Sequence, residues 1–209
     1  VAAMLAVFVI HVSGGWLESL PVGTADWQAL NVWNSLTRWA VPIFVMCSGM
    51  FLLDPKRALP LPTLIFHHFL RLVTALLFWG VAYHLLYALL DGTLSLQSIP
   101  RALYAVVLGN TETHLWFLTM LMGLYLLTPL LRAFLRGASR GDLHWFLLLY
   151  FLLMMVLPLV LRLRGSQTAT YYADHLYLNF TLSNPPLAFV GYYVAGYYLK
   201  TYTLGRGAE

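Results

Sequence analysis

A single cysteine, Cys47, in 209 residues leaves no route to a disulfide framework or a cysteine-based metal site, and its place inside an apolar run makes packing its expected role. Charge is scarce too. Only 10% of residues are Asp, Glu, Lys or Arg, against 60% hydrophobic, and mean hydropathy is +0.74. A water-soluble domain needs far more polar surface, so a membrane is the expected medium. Apolar–polar alternation is also missing: residues 147–160 are apolar on every side, which excludes strands of a membrane barrel and leaves helices. No internal repeat and no low-complexity linker divides the chain, so 1–209 reads as one membrane domain. The expected fold class is all-α, a polytopic transmembrane helical bundle.

Apolar runs near the roughly 20 residues needed to cross a bilayer recur at 1–17, 33–53, 72–90, 115–131, 145–161 and about 185–199. Six spans are therefore expected. With the N-terminus cytoplasmic, the inner connections hold Lys56, Arg57, Arg71, Arg132, Arg136, Arg140, Lys200 and Arg206. The other side holds Arg101, Arg162 and Arg164 among Glu18, Asp26, Asp91, Glu112 and Asp174, and this asymmetry favours that orientation. The net charge of +4 and the pI near 9.3 are explained by topology, with no call on nucleic acid. The longer connections, 18–32, 91–113 and 162–184, all fall outside. Within the second, 99–108 is apolar between Pro100 and Gly109 and is expected to lie as a helix in the interface. The chain opens at Val1 in sequence that is already apolar, with neither a basic leader nor a small-residue cleavage site, so the first span is expected to be cut short rather than a signal peptide.

His11 is the most informative residue, because an ionisable ring inside an apolar run costs about 2 kcal/mol or more on insertion scales and usually marks a site. Arg38 raises the same question in the second run. It lies about six residues, or ~9 Å, below the outer end of its span, at a depth similar to His11, so one shared cavity is open to both; snorkelling to the headgroups is the competing reading. Asn34, four residues earlier, shares its helical face and favours a polar interior. Pro42 is expected to kink this helix and free carbonyls, and Ser48-Gly49 to permit close helix approach. Lys56, Arg57, His67, His68 and Arg71 gather donors and positive charge that suit phosphates, or that simply anchor the inner boundary. His84 is ambiguous and can be satisfied by a hydrogen bond to a neighbouring helix. His114 enters at the outer boundary, Trp116 and Tyr125 suit an aromatic belt, and the glycines and tyrosines of 189–198 suggest a tight packing face.

Four blocks occur in order: Ala-Val-Phe-Val-Ile-His-Val-Ser (6–13), Asn-Ser-Leu-Thr-Arg-Trp-Ala-Val-Pro-Ile-Phe-Val-Met-Cys-Ser-Gly (34–49), His-Leu-Trp-Phe-Leu (114–118) with Leu-Tyr-Leu-Leu-Thr-Pro (124–129), and Gly-Tyr-Tyr-Val-Ala-Gly-Tyr-Tyr-Leu (191–199). Together they resemble acyltransferase family 3, the integral-membrane O-acyltransferases of surface carbohydrates, and particularly the subgroup that acetylates enterobacterial common antigen. The resemblance implies that His11 is the catalytic histidine, and that Arg71 and the basic segment with Lys56, Arg57 and His68 handle acyl-CoA. It also implies a chain truncated at both ends, with about six of roughly ten spans present, and places the arginine that the family pairs with this histidine just before Val1. Met50 stands where an aromatic commonly follows Ser-Gly, and His67-His68 where a basic pair usually enters the third span.

The chemistry these residues support is transfer of an acyl group, acetyl above all, from a thioester to a sugar hydroxyl. His11 would take the hydroxyl proton as general base, while Asn34, Arg38, His114 and Trp116 would hold the acceptor or the oxyanion. No metal and no permanently bound cofactor is expected, with acyl-CoA as co-substrate. The partners expected are a carbohydrate or lipid-linked glycan and membrane lipids, in a bacterial inner membrane. The alternative is a transporter or flippase that uses His11 and Arg38 as intramembrane binding or relay groups. A membrane scaffold whose polar residues glue helices is a third reading.

Overall fold

A computed structural model describes residues 1–164 and 185–204. The secondary structure described is helical throughout, with no strand among these residues. Eight helices carry the argument: α1 (Ala2–Leu17), α2 (Ala25–Thr37), α3 (Ala40–Leu52), α4 (Leu61–Leu90), α5 (Ser98–Val107), α6 (Trp116–Gly137), α7 (Arg140–Leu163) and α8 (Pro185–Leu199). Four helical stretches are long and apolar enough to cross a membrane: Ala25–Leu52, α4, α6 and α7. Of the six expected spans, the first and last are shorter, at 16 and 15 residues, although α8 continues as a π-helix over Lys200–Leu204. Most of the third outer connection, 165–184, lies outside the described residues.

The second span begins earlier than its hydropathy suggests. Thr24 caps α2 by accepting the Trp27 N–H at 3.3 Å, and Asp26 sits in the first turn, where a negative charge meets the helix dipole favourably. Polar residues such as Asp26, Gln28 and Asn31 hide that start from a hydropathy reading. The helix is interrupted at Arg38–Trp39 and resumes as α3. Pro42 accounts for the break: it offers no N–H to the Arg38 carbonyl four residues back, and its ring crowds that carbonyl.

The described residues divide into two compact units, one of residues 1–54 and 192–204, the other of residues 55–164 and 185–191. In the first unit, α1 packs on α2 and α3, and α3 meets the C-terminal part of α8. Backbones approach closely there. A Cβ added to Gly49 would fall 2.7 Å from the Tyr193 carbonyl carbon, and one on Gly196 would fall 2.6 Å from that of Met46, so only glycine fits at either place. The expected close approach at Ser48-Gly49 and the packing face of the last span are therefore one contact. Beyond it, Lys200 Nζ donates to Asp54 Oδ2 at 3.3 Å and to the Met50 carbonyl at 3.3 Å.

In the second unit, Leu76 of α4, Val106 of α5 and Leu115 form a buried cluster with Leu77, Val81, Tyr83, Leu118 and Met122 around it. A helix does form at the apolar stretch 99–108, as α5: Ala102 and Val106 are buried, while Ile99, Leu103, Tyr104 and Val107 are exposed. On α6 the buried stripe is Met120, Leu121, Leu124, Thr128, Arg132 and Leu135. Thr128 Oγ1 donates to the Leu124 carbonyl at 2.9 Å, just before Pro129 removes a backbone donor. Ser139 and Asp142 form a capping box at the start of α7, and a π-helical turn at Leu152–Val156 precedes Pro158. Across both units, apolar side chains such as Met4, Leu5, Phe8, Phe78, Leu90, Leu130 and Trp145 are exposed. Such a surface suits lipid rather than water.

Candidate functional site

The polar centre of the first unit is a chain of hydrogen bonds between α1 and α2. Arg38 Nε donates to Asn34 Oδ1 at 2.9 Å. Asn34 Nδ2 donates to Ser13 Oγ at 2.9 Å and to the Ile10 carbonyl at 3.1 Å, and Ser13 Oγ donates to the Val9 carbonyl at 2.6 Å. Asn34 and Ser13 are 3% and 2% exposed, so this network is sealed, while Arg38 at the helix break is exposed. The sequence placed Asn34 and Arg38 on one helical face, and they meet there. Ser13 was missed as their partner; its signal was a hydroxyl in an apolar run, since such a group seeks a hydrogen bond.

His11 belongs to the turn of α1 that Asn34 grips, between Ile10 and Ser13. Two residues from Ser13 puts it roughly 160° around the helix, and its side chain is exposed. The cavity anticipated for His11 and Arg38 together is thus not formed around the histidine by the described residues. The packing explains this: Ala6 and Ser13 are the buried residues of α1, and the small Ser13, not the larger ring, meets Asn34 of α2.

The other candidates belong to the second unit. His114 is half-buried with its ring edge-on to Tyr83, centroids 5.1 Å apart, and Trp116 packs at 5.7 Å on Phe189. His68 is half-buried and edge-on to Tyr125 at 6.2 Å, whereas Lys56, Arg57, His67 and Arg71 are exposed. A π-helical segment, Leu64–Phe69, carries both histidines; its extra residue per turn rotates the chain so that His68 faces α6 while His67 and Arg71 stay on the surface. His84 finds its partner within its own helix rather than on a neighbour, Nδ1 lying 2.9 Å from the Gly80 carbonyl.

Sequence reasoning also overlooked Arg132 as anything but a topology charge. It is 7% exposed on the buried stripe of α6, and its Nη2 donates to the Arg57 carbonyl. The loop bearing Lys56 and Arg57 is therefore held by a buried cation acting on its backbone. An open apolar groove of about 560 Å³ between α4 and α5, lined by Leu85, Leu89, Leu94, Leu96 and Ile99, contains none of the candidate residues. Among the described residues no three His, Cys, Asp or Glu side chains converge as a metal site would require.

No curated protein and no solved structure matches the chain. The family described as acyltransferase domain matches residues 1–206, nearly the whole length. With helices fit to cross a bilayer and this match, the protein is an integral-membrane acyltransferase, and the chain belongs to acyltransferase family 3.

Proposed function

We propose that this protein moves an acyl group, acetyl in the first instance, from acyl-CoA to a hydroxyl of a surface polysaccharide or glycolipid in a bacterial inner membrane, with its N-terminus cytoplasmic. The observation that carries the reading is the family match over residues 1–206 together with the clamp of Asn34 on the turn of α1 that bears His11. His11, as a neutral imidazole, takes the proton of the acceptor hydroxyl while its oxygen attacks the thioester carbonyl. The C–O bond forms, the C–S bond breaks, and the proton passes to the departing CoA thiolate. General-base help of this kind contributes about 10²–10⁴-fold. Arg38 donates to the acceptor or to the developing oxyanion, and His114 and Trp116 offer a second set of acceptor contacts. Lys56, Arg57, His68 and Arg71 handle the phosphates of the donor, the exposed cations as point charges or forks. The cytoplasmic side is where CoA resides, which is why the basic segment is assigned to the donor. No nucleophilic serine is required, since the hydroxyl attacks the thioester directly once a base is in place.

The test is transfer from radiolabelled acetyl-CoA to a glycolipid extract by the purified chain in nanodiscs, compared with His11→Ala. Loss of label transfer with unchanged insertion and helicity supports the assignment. Full transfer by the variant overturns it, and movement of glycolipid across the membrane without acetyl-CoA consumption would favour a flippase.

A further inference from the structure

Asn34 has almost nothing left to offer a substrate. Both amide hydrogens are spent, on the Ile10 carbonyl and on Ser13 Oγ, and its oxygen receives the Arg38 Nε–H. An amide has two donors and two acceptor lone pairs, so a single lone pair remains on a side chain that is 3% exposed. Chemistry fixes which way the amide faces: a guanidinium nitrogen only donates and a backbone carbonyl only accepts, so Oδ1 must meet Arg38 and Nδ2 must meet Ile10. Ser13 then has one consistent role, accepting from Asn34 and donating to the Val9 carbonyl.

We propose that Ser13 and Asn34 are positioning residues, and that they present the two Nη groups of Arg38 as the substrate-facing donors of this site. The proposal rests on the acyl-transfer reading for what Arg38 contacts. An arginine side chain is long and rotamer-rich, and tying its Nε to a sealed partner fixes the plane of the guanidinium while leaving the outer fork free for oxygen ligands. Arg38 sits at the Pro42 break, where the side chain is exposed rather than packed along a continuous helix. The same clamp sets the register of α1. A slip of one residue turns the helix by about 100° and shifts it by about 1.5 Å, which would break both contacts of Asn34 with α1 and turn His11 away. One buried amide thereby fixes the helix that carries the base and the cation that serves it.

Two measurements on the full chain test this. The first is a double-mutant cycle on transfer from radiolabelled acetyl-CoA, with Ser13→Ala, Arg38→Ala and both together. Ser13→Ala should lower kcat about tenfold with KM for acetyl-CoA unchanged, Ser13→Thr should restore most of it by keeping the hydroxyl, and Ser13→Ala should cost clearly less once Arg38 is gone, since only its hold on α1 is then left to lose. Additive losses would overturn the proposal, because a merely structural serine is indifferent to Arg38. The second is hydrogen exchange at the Arg38 Nε in protein with isotope-labelled arginine, read by NMR. Exchange should be at least about tenfold faster in Asn34→Ala, and equal rates would overturn the clamp whether or not transfer is detected. Should Arg38→Ala retain full transfer, the substrate role of Arg38 fails, and the exchange rates alone then decide the clamp.

Discussion

Replacing Arg132 by methionine separates the basic segment from the buried cation that holds it. The side chain keeps much of its apolar stem, but the charge and the donor to the Arg57 carbonyl disappear. Part of the cost falls on the Arg57 carbonyl, a part-buried acceptor that loses a charged partner. That loss is worth about 1.5–3 kcal/mol, equivalent to about 10- to 150-fold in the balance between the held and displaced loop. Lys56 and Arg57 move with that loop. If they bind the donor's phosphates, the expected result is a rise in KM for acetyl-CoA of about tenfold or more, with kcat changed by less than about threefold, as follows when binding rather than the transition state is weakened. Arg132→Lys should recover part of the loss, since one ammonium can still reach one carbonyl. Initial rates at varied acetyl-CoA, alongside thermal midpoints in the same nanodiscs, provide the assay. An unchanged KM in a variant whose midpoint has fallen would refute the reasoning: Arg132 would then be holding the fold and nothing more.

Gly196→Ala should destabilise the first unit by about 1–3 kcal/mol, because a Cβ 2.7 Å from the Met46 Cα meets backbone that cannot rotate away; an unaltered midpoint in SDS titration would contradict the close approach of α3 and α8. Lys200→Met removes the pair with Asp54, whose side chains are 34% and 20% exposed, so the loss should stay within about 1 kcal/mol and shrink in high salt. A larger, salt-independent loss would show that the bond to the Met50 carbonyl dominates. His11→Ala should reduce acetyl transfer by at least about 10²-fold while circular dichroism and membrane insertion stay as in the parent, and undiminished transfer would remove His11 from the mechanism.

Helical architecture was legible because its cause is local: long apolar runs admit little else in a bilayer. The helix α5 was legible for the same reason, as an apolar stretch between turns, although which of its residues are buried, Ala102 and Val106, was not. The start of α2 was not, since it depends on a cap at Thr24 set among polar residues, which hydropathy counts as loop. The π-helical turns at 64–69 and 152–156 likewise leave little mark in composition, although Pro158 just after the second supplies a missing donor that favours one. The i,i+4 spacing of Asn34 and Arg38 gave their contact directly. Arg132 offered a comparable signal that went unused: it stands four residues after Thr128 and eight after Leu124, on a stripe that is buried throughout.

Ser13 and His11 show where such reading stops. Both are polar residues in the same apolar helix, and the cost of dehydrating a polar group gives each a reason to face inward. Only one can, because residues two apart on a helix point to nearly opposite sides. The choice between them is made by α2, whose Asn34 can saturate a hydroxyl and the adjacent Ile10 carbonyl in one grip. A serine at that contact lets the helices approach; an imidazole would hold them apart. Facing is thus a property of the helix pair, and it leaves His11 on the exposed side of α1 with Phe8 and Val12, away from the Asn34 contact.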